Sequence, residues 1–295
     1  MAWQQLHLTL NAAIPTAALE NSLQEYGALS ITFIDAADDP IFEPTLGSVP
    51  LWQKTKLTAL FSLDVDVQKI IAQLQTLYAD EIIDTCIEAL AEQDWQRSWL
   101  EYFKPLQFGK RLWIIPSGYD IPDDSAINIF LDPGLAFGSG THPTTAMCLA
   151  WLAKHDVDNK TVIDYGCGSG ILAIAALKLQ AKSVWAIDHD PQALTATAEN
   201  ARRNQLPAEK LHLGQNNQLP NGYQANIIIA NILAKPLIEL APLFAQHLRH
   251  DGKIVLSGIL AKQKAAILDI YQQYFSMHVV AQQEDWICLS GNKKL

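Results

Sequence analysis

Asp164-Tyr165-Gly166-Cys167-Gly168-Ser169-Gly170 is the stretch that decides the fold. It follows Thr161-Val162-Ile163, a β-branched run that suits a strand. It precedes Ile171-Leu172-Ala173-Ile174-Ala175-Ala176-Leu177, an apolar run that suits a helix packed on a sheet. A strand therefore ends, a glycine-rich turn follows, and a helix begins. Glycine permits the sharp turn and removes Cβ atoms that would block a ligand. The start of the helix offers unpaired N–H groups to that ligand.

The spacing is G-x-G-x-G, and Ile171 stands where a dinucleotide fingerprint has its third glycine. An acidic residue, Asp164, opens the turn. The combination fits a nucleoside ligand without a pyrophosphate, of which S-adenosylmethionine is the common one; the plain alternative is a tight turn with no ligand. Asp188 lies 24 residues beyond Asp164, at the end of the next expected strand, 183–187. An acid at that place can hold two ribose hydroxyls. It can equally cap the helix expected over 192–204, a role also open to Asp190, with Pro191 in the first turn.

The chain has 295 residues, enough for two domains. With 49% apolar and 18% charged residues it reads as folded and soluble. No apolar run approaches the ~18 residues of a membrane span. The N-terminus lacks the basic segment and apolar core of a signal peptide, so a cytoplasmic, non-membrane protein is expected. Cys86, Cys148, Cys167 and Cys288 are scattered without metal-ligand spacing, and no metal site is expected. The charge is unevenly placed. Residues 1–107 hold five Lys/Arg against fifteen Asp/Glu, so the whole net charge of −10 lies there. Such a segment repels nucleic-acid phosphates and attracts a basic protein, or simply aids solubility.

Within that acidic part, strands are expected at 3–10, 29–34, 56–63 and 82–87, and helices from Pro15 to Gly27 and over 67–78. A Pro- and Gly-containing loop is expected over 38–52. The order β-α-β-β-α-β is that of a ferredoxin-like unit. Residues 92–103 suit a helix with Trp95, Trp99 and Tyr102/Phe103 on one face, either for packing or for lining a substrate channel. The chain is thus read as an acidic ferredoxin-like domain at 1–88, a linker helix at 89–107 and a catalytic domain at 108–295.

The last domain reads as α/β. Strands are expected at 112–115 and 126–130. Next comes Asp132-Pro133-Gly134-Leu135-Ala136-Phe137-Gly138-Ser139-Gly140-Thr141-His142-Pro143-Thr144-Thr145, before a helix over 143–155. Thr144 or Thr145 can reach a ligand's polar atoms and Phe137 can cover its apolar part. Thr141 or His142 can cap the helix at the same time. Residues 225–230 form an apolar, fully buried strand ending at Asn231, which places Asn231 beside Gly166 and Asp188 at the carboxyl ends of the strands. Its side-chain carbonyl can accept a proton from an amine awaiting methylation, or be satisfied by its own turn. A helix at 236–250, a strand at 253–256, a helix at 262–274 and strands near 277–281 and 285–290 complete the pattern. Seven strands with a final antiparallel pair make the methyltransferase variant of the doubly wound, Rossmann-like sheet.

These residues carry a resemblance. The chain resembles the ribosomal protein L-eleven methyltransferases over nearly its whole length. The motifs are D-W-x-x-x-W (Asp94, Trp95, Trp99), L-D-P-G-L-A-F-G-S-G-T-H-P-T-T (131–145), D-Y-G-C-G-S-G-I-L-A-I-A-A (164–176), I-D-H-D-P (187–191), A-N-I-L (230–233) and L-S-G-I-L (256–260). The 131–145 block is the most specific of them. The resemblance implies an S-adenosylmethionine site at Thr145, Gly166, Asp188 and Asn231, to which the local reading adds Gly168, Asp164, Phe137 and Thr144. It implies an N-terminal domain that grips the ribosomal protein and a flexible linker that brings several amines, the α-amine and lysines among them, to one site. A monomer is expected. Two residues depart from the family: Ser139 stands where it usually has Thr, and Gly118 where it often has Trp. Other acceptors, a different basic protein or a small-molecule or nucleic-acid amine, share the same cofactor loop. Amino-group base methylation is disfavoured because Asn231 is followed by Ile-Leu rather than Pro-Pro-aromatic. A nicotinamide dehydrogenase is disfavoured by Ile171.

Overall fold

The computed structural model describes residues 3–37, 52–90, 104–132, 140–215 and 218–294. The chain forms two compact units, Met1–Gln96 and Arg97–Leu295. In the first, β1 (Trp3–Asn11), α1 (Thr16–Glu25), β2 (Ser30–Asp35), β3 (Lys54–Ser62), α2 (Val67–Leu77) and β4 (Ile82–Leu90) follow in order. The antiparallel sheet runs β2-β3-β1-β4, the ferredoxin-like arrangement. Period-2 alternation puts Leu6, Leu8 and Leu10 of β1, with Leu57, Ala59 and Phe61 of β3, in one core with Leu19 and Leu23 of α1 and Ile70, Ile71 and Leu74 of α2. Gly27, at φ +90°, ends α1, and Asp66 caps α2 by accepting the Lys69 N–H at 3.2 Å. Most of the expected loop over 38–52 and the aromatic face of the expected linker helix, Trp95, Trp99, Tyr102 and Phe103, lie outside the described residues.

The second unit opens with a three-stranded sheet, β5 (Leu106–Phe108), β6 (Leu112–Ile115) and β7 (Ile127–Phe130), ordered β5-β6-β7. Strand β5 was not expected from the sequence, because three residues are too few to show alternation. Then follow α3 (Pro143–Lys154), β8 (Thr161–Tyr165), α4 (Ile171–Lys178), β9 (Ser183–Ile187), α5 (Pro191–Arg203), β10 (Leu211–Gly214), β11 (Ala225–Asn231), α6 (Ala234–His247), β12 (Leu248–Leu260), α7 (Lys264–Tyr271), β13 (Phe275–Gln283) and β14 (Trp286–Lys293). The seven-stranded sheet is ordered β10-β9-β8-β11-β12-β14-β13. Its first five strands are parallel, and β14 runs antiparallel to β12 and β13. The glycine turn follows β8, the central strand at which the order reverses.

The last three strands run longer than expected, the one read at 253–256 spanning Leu248–Leu260, and two helices are cut short. The helix read to His250 stops at His247, because Leu248 enters the sheet opposite Ala225 and β12 is already extended from there. The helix read over 262–274 is a short 3-10 turn, Ala261–Gln263, followed by α7 to Tyr271. Tyr271 is fully buried and its hydroxyl donates to the Leu237 carbonyl at 2.8 Å, which docks α7 on α6. In both cases packing overrides a periodic sequence pattern.

Candidate active site

The glycine turn is held from below by the strand beside it. The N–H groups of Gly166 and Cys167 donate to the Ile187 carbonyl at 2.7 and 3.0 Å. That places Asp188, the next residue, against the turn. Its Oδ2 accepts the Gly168 N–H at 2.9 Å and its Oδ1 accepts the Asp190 N–H at 3.0 Å. Asp190 is the helix cap, accepting the Gln192 N–H at 2.8 Å, so the two acids divide the roles that the sequence left open. Asp188 shapes the loop; its Oδ1 also lies 3.3 Å from His189 Nδ1, and its Oδ2 keeps a second lone pair for a ligand hydroxyl.

The glycines serve packing more than expected. Gly166, Gly168 and Gly170 all have left-handed φ, at +78°, +54° and +79°. A Cβ on Gly166 would lie 2.2 Å from Ile232 Cγ2, and one on Gly170 would lie 2.6 Å from Thr197 Cγ2. At these two positions glycine is therefore required by the protein's own side chains, not only by the approach of a ligand. Gly258 repeats the theme from β12: its Cβ would meet the Ile232 carbonyl oxygen at 2.3 Å. The A-N-I-L turn is thus wedged between the glycine turn and the L-S-G-I-L strand, which explains why motifs far apart in sequence share one site.

Asp164 ends up at the centre of this packing with 1% of its surface exposed. Its Oδ2 accepts the Ala173 N–H at 2.9 Å, while its Oδ1 is buried without a hydrogen-bond partner. Burial, opposed by the Ala173 hydrogen bond and reinforced by the Asp188 carboxylate, pushes its carboxyl up to about 7. A buried, half-satisfied acid beside a second acid is a costly arrangement unless a cation or donor completes it.

On the other side, α3 begins at the His142 cap. The His142 Nδ1 accepts the Thr144 N–H at 3.4 Å and lies 2.7 Å from the Thr144 hydroxyl, with Pro143 at the first helical position. Thr144 is thus engaged in the cap. Thr145, 1% exposed, points elsewhere: its Oγ1 accepts a hydrogen bond from Asn231 Nδ2 at 3.1 Å. Asn231 is therefore held by α3 rather than by its own turn, and that bond uses the donor end of its amide. Burial holds the His142 imidazole below its ordinary value, partly offset by Glu284, and its ring meets Trp286 edge-on at 5.2 Å. Phe137 and Ser139 lie outside the described residues. Gly118 adopts φ +86° in an open turn, a conformation that would strain a tryptophan.

Sequence reading missed the contribution of α5. Thr197 and Asn200 hydrogen-bond to the glycine turn, Asn204 hydrogen-bonds to Phe130 at the end of β7, and Arg203 donates to Asp132 Oδ2 at 2.5 Å. The available signal was a set of polar residues recurring at i, i+3 and i+7 on a helix face that should have been apolar.

The donor set fits S-adenosylmethionine. An unsatisfied buried carboxylate oxygen suits a ligand carrying positive charge. A strand-end acid suits ribose hydroxyls, and the left-handed glycine turn leads into the N-terminus of α4.

Comparison with known proteins gives a consistent answer. The family model described as ribosomal protein L11 methyltransferase (PrmA) matches residues 2–294. Proteins named "Ribosomal protein L11 methyltransferase" from Shewanella baltica (strain OS185) and Shewanella sp. (strain ANA-3) are each 50% identical over 295 residues, covering 100% of this chain and 100% of the relative. A crystal structure of a ribosomal protein L11 methylase from Lactobacillus delbrueckii subsp. bulgaricus is similar at a TM-score of 0.59 and 35% identity, over 65% of this chain and 100% of that one.

Proposed function

The chain belongs to the ribosomal protein L11 methyltransferase family, and we infer that it transfers methyl groups from S-adenosylmethionine to amines of ribosomal protein L11, the α-amine and lysine ε-amines. The observation that carries this reading is the Asn231–Thr145 hydrogen bond at 3.1 Å beside the glycine turn. It fixes an amide whose carbonyl end is left to accept an N–H from an incoming amine.

S-adenosylmethionine supplies a methyl group on a sulfonium with a neutral leaving group, so neither a metal nor a covalent enzyme intermediate is required. The protein's part is placement. Asp188 takes the ribose hydroxyls. Gly166 and Gly168 bring backbone close to the cofactor, and Asp164, Thr144, Thr145 and Phe137 complete its surroundings. Asn231 orients the acceptor nitrogen in line with the methyl group at about 3–3.5 Å. That nitrogen must be neutral. An α-amine titrates near about 7.7–8.0 and a lysine near about 10.4, so a dry, apolar entrance that disfavours the charged form assists the reaction. The proton leaves to solvent. The acidic unit, with Asp84 and Glu88 exposed on β4, attracts the basic ribosomal protein. A linker between the domains at 1–88 and 108–295 brings successive amines to one site. The enzyme works as a monomer in the cytoplasm.

Transfer of labelled methyl from S-adenosylmethionine tests the acceptor class. Label should enter ribosomal protein L11 in preference to RNA, free lysine or other basic proteins offered together with it. Label entering RNA or free amines instead would replace the protein-acceptor reading.

A further inference from the structure

One face of α5 is a polar ladder. Thr197, Asn200 and Asn204 stand three and four residues apart, so they line up on that face. Thr197 and Asn204 are 0% and 1% exposed, which is unusual for hydrogen-bonding side chains unless they are satisfied. All are. The Thr197 hydroxyl donates to the Gly168 carbonyl at 3.0 Å and lies 3.4 Å from the Cys167 thiol. Asn200 Nδ2 donates to the Ser169 carbonyl at 2.9 Å. Asn204 Nδ2 donates to the carbonyls of Phe130 and Asn200 at 2.8 and 2.9 Å, and its Oδ1 accepts the Phe130 N–H at 2.8 Å. One turn of the ladder therefore grips the glycine turn, and the next grips the last residue of β7.

We propose that Thr197, Asn200 and Asn204 are positioning residues for the cofactor site: they set the conformation of the glycine turn and its spacing from the end of β7 at Phe130. A second clamp works at the same end of β7. Asp132 Oδ2 accepts from Arg203 at the end of α5, and the Asp132 carboxylate also accepts the Ser117 N–H at 2.6 Å and the Ser117 hydroxyl at 2.8 Å. Burial pushes the Asp132 carboxyl up, but the Ser117 and Arg203 hydrogen bonds outweigh it and hold it below its ordinary value. The mechanism is geometric. In a trans peptide the C=O of one residue and the N–H of the next point in opposite directions. Pinning the Gly168 carbonyl to α5 therefore turns the Ser169 N–H away from α5. Fixing Phe130 and Asp132 to the far end of the same helix holds the end of β7 at a set distance from the glycine turn. None of these side chains need touch the cofactor, yet its affinity depends on all of them.

The inference rests on the glycine turn being the cofactor site. The two are separable, because a parent protein that fails to bind S-adenosylmethionine refutes the site, whereas the ladder is tested by variants of a parent that binds. Thr197→Val keeps the volume and the methyl group facing Gly170 but loses the hydroxyl; Thr197→Ser keeps the hydroxyl. Cofactor affinity by equilibrium dialysis, with KM and kcat, is measured well below the melting temperature. Thr197→Val should weaken S-adenosylmethionine about tenfold, the equivalent of one hydrogen bond, with kcat at saturation within about twofold. Thr197→Ser should restore the affinity. Should Thr197→Val not fold, Arg203→Gln and Arg203→Lys, at a side chain 43% exposed, form the same loss-and-rescue pair on the second clamp. Loss of thermal stability with cofactor affinity within about twofold of the parent would reduce the ladder to ordinary core packing.

Discussion

Replacing Asp164 with Asn isolates the cost of its charge. The carboxyl titrates at about 7 in the folded, cofactor-free protein against an ordinary value of 3.8. Its folded value is the higher one, so the unfolded chain gives up this proton first. The stabilisation it confers is complete below about pH 4 and is lost as pH rises through about pH 7. Between about pH 5 and about pH 8 the loss from this one group amounts to about 2–3 kcal/mol. For a unit of this size that corresponds to about 5–10 °C in melting temperature. Asparagine keeps an acceptor for the Ala173 N–H and has no proton to lose, so it mimics the protonated acid. The assay is thermal unfolding of both cofactor-free proteins across that pH range. The other titrating groups are common to both and cancel in the difference. Asp164→Asn should gain on the parent as pH rises, and its affinity for S-adenosylmethionine should fall because the cationic ligand has lost its buried anion. A stability difference that is flat with pH would refute the argument from the unpartnered Oδ1 and place the carboxylate's compensation elsewhere.

Asn231→Ala should reduce kcat by about 10²-fold with little change in cofactor affinity, because it misplaces the amine rather than the donor; unchanged turnover would remove Asn231 from the mechanism. Gly166→Ala should destabilise the protein by more than the ~1–2 kcal/mol of a left-handed alanine, since its Cβ would lie 2.2 Å from Ile232 Cγ2. Adding Ile232→Ala should recover part of that loss in a denaturant titration, and full additivity would show that the two side chains do not meet. Asp84→Lys combined with Glu88→Lys should raise KM for ribosomal protein L11 while leaving cofactor affinity alone, and the effect should shrink as salt is added. A salt-independent KM would limit the acidic unit to a solubility role.

How much was legible follows from what each residue does. The first unit could be read almost element by element, because Leu6, Leu8 and Leu10 alternate and α2 shows a clean apolar face. The central sheet was legible from the glycine turn and the apolar run at 225–230. The missed or misplaced elements are those decided by contacts. Strand β5 exists because β6 pairs with it, and α6 stops where Leu248 meets Ala225. At the site, the pairing of Asn231 with Thr145 spans 86 residues and has no local signature. The glycines at 166 and 170 were legible as glycines, but their partners, Ile232 and Thr197, are set by how β11 and α5 pack on the sheet. The α5 ladder stayed hidden because threonine and asparagine on a helix read as surface until the helix is seen against the loop it holds.

The most direct measurement is a mass spectrum of intact ribosomal protein L11 after incubation with this protein and S-adenosylmethionine, run beside the Asp188→Ala variant. Stepwise single-methyl increments with the parent, absent with the variant, are the expected result. They would establish the reaction and the acceptor and tie both to the strand-end acid. An unchanged mass under conditions where the parent is shown to bind the cofactor would contradict the assignment of ribosomal protein L11 as the acceptor.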